Sequence, residues 1–134
     1  MQKANRRLLA VLAHPDDESY GIGGTLAIYS RKGVSAHLIC ATRGEVGAAP
    51  PDLMQGHATL ADLRMHELRC AAAILGLAGV ESLDYRDSGM PGSPDNRHPR
   101  ALANAPTEEV ASQLVRRIRS LRSQVVLTFD PIGG

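Results

Sequence analysis

Three carboxylates and an imidazole lie within five consecutive residues near the N-terminus, in the segment His-Pro-Asp-Asp-Glu at positions 14–18. These negative charges repel one another strongly unless a cation lies among them. A neutral imidazole nitrogen and a carboxylate oxygen are good ligands for Zn²⁺, and the end of a strand leading into a helix can direct His14 and Asp17 at one ion. Asp16, between them, could stay outside the metal shell and accept a proton from bound water. The segment therefore indicates a divalent-metal site with a base beside it.

Simpler interpretations of this region remain open. An Asp-rich turn can cap the next helix, with His14 merely packed against its surroundings. Gly21, Gly23 and Gly24 suggest a nucleotide-binding loop, but their spacing is not G-x-G-x-x-G, and the preceding carboxylates would repel a pyrophosphate. A serine nucleophile is not indicated, because there is no G-x-S-x-G and Ser19 has no clear base.

Four short apolar runs predict the strands that position these residues. They occupy residues 8–13, 36–41, 80–85 and 125–129. The first, second and fourth are nearly continuous, which is typical of parallel strands covered on both faces. The third contains Glu81 and Asp84 and is therefore expected nearer a sheet edge.

Helical patterns separate the strands. Residues 24–32 predict a helix closed by Gly33, and a second helix ends at Gly76. A third begins after Pro106, with arginines on its solvated side. The buried stripe of the second helix is Ala61, Met65, Leu68, Ala72 and Leu75; that of the third is Val110, Leu114, Val115, Ile118 and Leu121. The order β-α-β-α-β-α-β predicts one α/β domain over residues 1–134, with a Rossmann-like, doubly wound, mostly parallel sheet.

In such a sheet, ligands bind at the carboxyl ends of the strands. Each predicted strand is followed there by polar residues, at positions 14–18, 42–45, 86–90 and 130–134. We therefore expect one site assembled from several loops. The long irregular segment 88–105 is either a substrate-facing loop or disordered.

Composition excludes several classes of protein. The chain has 134 residues with 15 Lys and Arg against 14 Asp and Glu, so it is not a strongly basic nucleic-acid binder. No apolar run approaches the roughly 20 residues that span a bilayer, and the basic residues 1–7 precede too short an apolar run for a signal peptide. Cys40 and Cys70 lack C-x-x-C spacing and are expected to be reduced core thiols. We therefore expect a cytoplasmic protein that can form a homo-oligomer.

The remaining histidines, and the pair Arg64 and Glu67, also have purely structural interpretations. His37 falls within a strand and is expected to be a sheet residue, whereas His66 is expected to be solvated. His57 and His98 lie in predicted loops and could reach the site. Arg64 and Glu67 are one helical turn apart, so a surface ion pair is as good an interpretation of them as a site role.

At the level of whole motifs, residues 13–18 (AHPDDE) resemble the signature of the PIG-L/LmbE-like zinc-dependent N-acetylglucosaminyl deacetylases. The agreement continues in the family's order over essentially the whole chain. It includes TRGE at 42–45, RMHEL at 64–68, RDSGM at 86–90 and VVLTFDP at 125–131. The segment RDSGM is especially similar to the deacetylases of the mycothiol pathway.

This resemblance implies roles for five residues. His14 and Asp17 would be zinc ligands and Asp16 the general base, while Arg64 and Asp87 would line the sugar pocket. It implies an amide hydrolase that depends on Zn²⁺, with another divalent metal as the alternative, and that removes the N-acetyl group from a small-molecule N-acetylglucosamine conjugate.

One part of the family pattern is not in this sequence. In the family, the segment matching 130–134 continues into a Y-G-H-P-D-H-like motif that supplies a third zinc ligand and an oxyanion-stabilising histidine. We therefore expect this chain to be an N-terminal portion that is weak or inactive alone. The alternative from another class is an inactive fragment or binding module with an incomplete metal site.

Overall fold

A parallel β-sheet forms the centre of the computed structural model, which describes residues 5–132. Within these residues the sheet has four strands: β1 (Arg7–Leu12), β2 (Ser35–Thr42), β3 (Gly79–Tyr85) and β4 (Val125–Leu127). Their order is β3-β2-β1-β4, and all neighbours are parallel. The predicted doubly wound α/β fold is confirmed, as is the place of the third strand at an edge.

The helices lie on both faces of this sheet. They are α1 (Asp17–Tyr20), α2 (Gly23–Arg31), α3 (Leu60–Leu75) and α4 (Thr107–Leu121). Alternate side chains of β1 point to opposite faces. Leu8 and Ala10 join a core with Leu26 of α2 and Leu68 of α3. Leu9 instead joins a second core, against which α4 packs.

The boundaries of α3 follow from local chemistry. Thr59 and Asp62 form a reciprocal capping box at its N-terminus, which satisfies two backbone N–H groups. Gly76 ends the helix with a φ of 74°, a left-handed conformation that favours glycine. The predicted end of this helix is thus confirmed, and its position fixes which side chains reach the carboxyl edge of the sheet.

Two packing predictions were wrong. The fourth apolar run is not covered on both faces within the described residues: Val125 and Val126 are 49% and 41% exposed. The reason is that β4 pairs with β1 on one side and lies at the sheet edge. Val115 is likewise exposed, because the residues of α4 that meet the sheet are Val110, Leu114, Ile118 and Leu121.

The two cysteines differ in their surroundings. Cys40, on β2, is buried, but Cys70 is exposed on α3, so the prediction of two core thiols was wrong for Cys70. Cys70 occupies the outer side of its helix, with its Sγ 3.8 Å from Nε2 of the exposed His66.

The segment after β3 is built from turns and a short 3₁₀ helix, Leu102–Asn104. A bridge between Arg86 and Ala101 ties it back to the end of β3. No helix among the described residues has the length and apolar character needed to cross a bilayer. Residues 1–4 of the basic segment 1–7, and the last two residues of the predicted 130–134 cluster, lie outside the described residues.

Candidate active site

The loop after β1 is anchored to the end of β2. The backbone N–H and the side-chain hydroxyl of Thr42 both donate to the carbonyl of Ala13, each at 3.0 Å. Since parallel strands end at the same edge, this contact holds residues 14–18 beside residues 42–45. Two of the predicted polar clusters are therefore brought together.

His14 lies between two carboxylates. Its backbone N–H donates to Oδ2 of Asp17 at 2.8 Å, and its ring Nδ1 lies 3.8 Å from the same oxygen. On the other side, its Nε2 lies 3.4 Å from Oδ1 of Asp87. The predicted ligand pair His14 and Asp17 is thus adjacent in space, and Asp87, which is distant in sequence, joins them.

Asp16 has an unusual backbone conformation, with a φ of 110°. A non-glycine residue with positive φ typically costs about 1–3 kcal/mol and persists only where the surroundings enforce it. The Asp16 N–H donates to Oε2 of Glu18 at 2.9 Å, and its carbonyl accepts from Ser19 and Tyr20 at the start of α1. The side chain is 55% exposed, so the loop presents this carboxylate outward.

Arg64 reaches the same loop from α3. Its Nη2 donates to Oδ2 of Asp16 at 2.9 Å and to the carbonyl of Pro15, while Nη1 donates to the carbonyl of Gly44 at 2.9 Å. A Cβ at Gly44 would overlap the guanidinium, and the φ of Gly44 is +66°, so both the backbone conformation and the close approach of Arg64 favour glycine there. Arg64 thus contacts the site loops, which distinguishes it from the surface pair with Glu67 that its spacing also allowed.

Asp87 is buried on the loop after β3, with only 5% of the residue exposed. Its backbone N–H donates to Oε1 of Glu45 at 3.1 Å, and its Oδ1 accepts from the N–H of Gly89 at 2.9 Å. Oε2 of Glu45 is buried and has no hydrogen-bond partner within the described residues. Glu45 and Glu18 thus support the site carboxylates, a role the sequence analysis did not assign although both belong to its polar clusters.

A cavity of about 480 Å³ opens above these side chains. Four predicted site residues line it: His14, Asp16, Arg64 and Asp87. The remaining lining residues come from the loops after β2 and β3, namely Val46, Gly47, Gly89, Met90 and Pro91. Asp17 lies behind His14, with its side chain 18% exposed. The substrate-facing interpretation of the 88–105 segment is therefore supported for its first residues.

The other histidines lie elsewhere. The ring centroids of His57 and His66 are 5.3 Å apart, and both rings line a different cavity beside β3. His98 accepts from the N–H of Arg100, and His37 contacts the hydroxyl of Ser35 within the sheet.

The donor set fits a divalent metal in type but is incomplete in number. An imidazole and a carboxylate, two of the side-chain types that bind Zn²⁺, are adjacent at His14 and Asp17. Catalytic zinc sites use three protein ligands, and no group of three suitable side chains is found among residues 5–132. The described part of the chain thus offers two candidate ligands. Part of the acidic charge is already neutralised by Arg64.

The potential beneath the site is negative. Cys40 lies under the loop, and the pKa of its thiol is raised to about 12, with burial as the main cause. The carboxylates of Glu18, Asp17 and Asp16 contribute to this rise in pKa, while Arg64 opposes it. A cation bound among these carboxylates would be stabilised by the same field.

Comparison with known proteins identifies relatives of this chain. A deacetylase from Catenulispora acidiphila, named 1D-myo-inositol 2-acetamido-2-deoxy-alpha-D-glucopyranoside deacetylase 2, is 46% identical over 138 residues, covering 96% of this chain and 45% of that protein. A relative with nearly the same name from Acidothermus cellulolyticus is also 46% identical, and the match covers 96% of this chain and 47% of that protein. The chain therefore spans about half the length of these relatives.

Among solved structures, N,N'-diacetylchitobiose deacetylase from Pyrococcus horikoshii superposes with a TM-score of 0.71 at 28% identity. The match covers 94% of this chain and 41% of the Pyrococcus horikoshii chain. The model of the family described as "PIG-L: GlcNAc-PI de-N-acetylase" matches residues 9–134. The loops that bring His14, Asp16 and Arg64 to one cavity lie within this match, and the chain belongs to the PIG-L family.

Proposed function

We propose that the protein to which this chain belongs is a deacetylase that hydrolyses the N-acetyl group of an N-acetylglucosamine conjugate. The observation that carries the proposal is the convergence of His14, Asp16, Arg64 and Asp87 on one cavity at the carboxyl edge of the sheet. The relatives named for deacetylation of an acetamido sugar on inositol support this substrate class.

Asp16 is the proposed general base. Its carboxylate lines the cavity and is more than half exposed, so a water molecule can reach it. Arg64 holds Oδ2, which leaves Oδ1 as the oxygen that accepts the proton of the attacking water. The acid formed in this way then protonates the departing amine. The products are acetate and a free amino sugar.

His14 and Asp17 are the proposed holders of a divalent metal, with Zn²⁺ as the first choice. Zinc, when bound, lowers the pKa of its water toward about 7 and polarises the acetyl carbonyl. The hydrogen bond from the backbone N–H of His14 to Asp17 fixes the Asp17 carboxylate against the His14 backbone before any ion binds. A third ligand is expected from outside the described residues.

Arg64 and Asp87 are proposed to orient the sugar. The three hydrogen bonds of Arg64 use three of its five N–H groups, and the remaining groups can donate to hydroxyls in the cavity. The buried carboxylate of Asp87 is a directional acceptor for a sugar hydroxyl. Such contacts hold the acetamide beside Asp16 and so contribute proximity. We place the reaction in the cytoplasm, on a small-molecule substrate.

The test is release of a primary amine. The complete polypeptide is incubated with Zn²⁺ and N-acetylglucosaminyl inositol, N-acetylglucosamine and N,N'-diacetylchitobiose in parallel, and free amine is quantified. Release from at least one substrate, abolished by a chelator and restored by Zn²⁺, is the expected result. Amine release from none of them would overturn the proposal.

A second candidate is a non-catalytic role for residues 1–134 taken alone. Two observations favour it: the described residues provide two candidate zinc ligands, and β4 presents half-exposed valines at an open sheet edge. Measuring the zinc content of the 134-residue segment distinguishes this non-catalytic role from a complete catalytic site within the segment. Weak zinc binding and weak turnover by the 134-residue segment are expected, whereas tight stoichiometric zinc would require an unidentified ligand within it.

A further inference from the structure

The strained conformation of Asp16 raises the question of what enforces it. Three parts of this residue are held by different groups: the N–H by Glu18, the carbonyl by the first turn of α1, and the carboxylate by Arg64. Arg64 acts on the side chain and also donates to the carbonyl of Pro15, while the first turn acts on the carbonyl of Asp16. The peptide leading into Asp16 is therefore held at both ends, by Arg64 at the Pro15 carbonyl and by Glu18 at the Asp16 N–H.

Glu18 can hold the Asp16 N–H in one direction because its own side chain is immobilised. It is 1% exposed, the most deeply buried charged residue of the described chain. Its second oxygen, Oε1, accepts from the hydroxyl of Ser19 at 2.8 Å, so both carboxylate oxygens are used. Gly23 leaves room for this turn, since a Cβ there would lie 3.2 Å from the carbonyl of Glu18.

We propose that Glu18 is a positioning residue for the deacetylase reaction: its buried carboxylate accepts the Asp16 N–H and thereby holds the general base in its strained, cavity-facing conformation. This inference rests on the proposed function. Glu18 does not line the cavity that contains His14 and Asp87, so it acts through Asp16 and not on the substrate.

The role requires a hydrogen-bond acceptor and not a charge. Glu18→Gln keeps an amide oxygen for the Asp16 N–H, and its NH₂ can donate to the Ser19 hydroxyl, which also accepts hydrogen bonds. Glu18→Leu fills similar space but removes the acceptor, leaving the Asp16 N–H unsatisfied and the peptide before Asp16 held by Arg64 alone. The two variants therefore separate an acceptor role from simple filling of the core.

The experiment measures two quantities in the complete polypeptide. In Glu18→Leu we expect kcat to fall at least tenfold with KM within about threefold of the parent, since the sugar contacts at Arg64 and Asp87 persist. The exchange rate of the Asp16 amide proton, followed by NMR, should rise at least tenfold. Glu18→Gln should retain both values within about threefold.

The matched control is Glu67→Leu. Glu67 is exposed on α3, lines the same small cavity as Glu18 below Arg64, and should change neither kcat nor Asp16 exchange. If Glu18→Leu does not fold, Glu18→Asp replaces it, because the shorter side chain withdraws the acceptor.

Each outcome has a distinct meaning. Unchanged kcat and unchanged Asp16 exchange in Glu18→Leu would overturn the inference. So would a Glu18→Gln variant as impaired as Glu18→Leu, because the charge would then be what matters. If the unsubstituted protein releases no amine although Asp16 exchange responds as expected, the proposed function is what fails.

Discussion

The guanidinium of Arg64 lies 2.9 Å from the carboxylate of Asp16, although the two residues are 48 positions apart. This contact joins α3 to the loop after β1. It also places a fixed positive charge inside a cluster that the sequence shows only as acidic. Asp16 is thereby held at one oxygen while the rest of its side chain faces the cavity.

Replacing Arg64 with lysine should lower the proposed deacetylase activity although the charge is kept. An ammonium cannot reproduce the planar fork that contacts Asp16, Pro15 and Gly44 together. We expect kcat/KM for amine release to fall about 10- to 100-fold, the range for losing hydrogen bonds to charged groups. Arg69→Lys, an exposed substitution on the same helix, is the control. Equal activities in the two variants would show that the fork geometry is unimportant.

Asp16→Asn should separate catalysis from metal binding. The amide keeps the size of the side chain but is a poor base, so we expect kcat to fall about 10²- to 10⁴-fold. Zinc content per chain should stay close to that of the parent, because the proposed ligands are His14 and Asp17. Activity and metal content are measured on the same samples, with the exposed Asp52→Asn as control. Loss of zinc with normal activity per remaining zinc would reverse the two assignments.

Gly44→Ala should destabilise the fold and disturb the site together. Gly44 has a φ of +66°, and a Cβ there would overlap the guanidinium of Arg64. Gly33 is the matched control, because its φ is +80° but nothing lies near its Cβ position. The positive φ costs about 1–2 kcal/mol at either site. In thermal unfolding Gly44→Ala should therefore melt below Gly33→Ala, and it alone should lose activity. Equal melting temperatures with full activity would contradict the close approach.

The sequence predicts the fold of this chain well because its signals are local. Continuous apolar runs identify β1 and β2, and a glycine after the apolar stripe identifies the end of α3 at Gly76. The wrong predictions concern side chains whose burial depends on neighbouring strands and helices. Nothing local to Val125 or Val115 reveals that β4 pairs with β1 alone among residues 5–132, or that this side of α4 faces away from the sheet.

The site was predictable as a set of residues but not as a set of contacts. Strand ends predict that His14 and Asp87 share an edge, and the structure places them 3.4 Å apart. The hydrogen bond from Arg64 to Asp16 depends on the tilt of α3, which is distant in sequence. The hydrogen bond from the Asp16 N–H to Glu18 depends on a turn of positive φ. Neither leaves a periodic signal in the sequence.

Removing either proposed metal ligand should empty the site. We expect His14→Ala and Asp17→Asn to lose at least about 90% of bound zinc in the complete polypeptide, because a three-ligand site that loses one ligand holds its ion weakly. Metal content is measured after dialysis against a weak chelator. His66→Ala, which removes an exposed histidine on α3, should bind zinc normally. Retention of zinc by both ligand variants would place the metal elsewhere.

Cys40 should make the fold less stable at high pH. Burial and the site carboxylates raise the pKa of its thiol from 9.0 to about 12. Between these values the unfolded chain releases the proton while the folded chain keeps it, so the free energy of unfolding decreases as the pH rises. The contribution is fully present below about pH 9 and is lost progressively toward pH 12.

Denaturant unfolding of the complete polypeptide at pH 7.5 to about 10.5 measures this effect against a Cys40→Ala variant. Cys40→Ala should be less stable at pH 7.5 because it leaves a cavity, but its unfolding free energy should decline less steeply with pH. Cys70→Ser, at the exposed thiol, should follow the parent curve. Parallel curves for the parent and Cys40→Ala would mean that the thiol ionises as easily in the folded chain as in the unfolded one, and that neither burial nor the nearby carboxylates disfavour the thiolate.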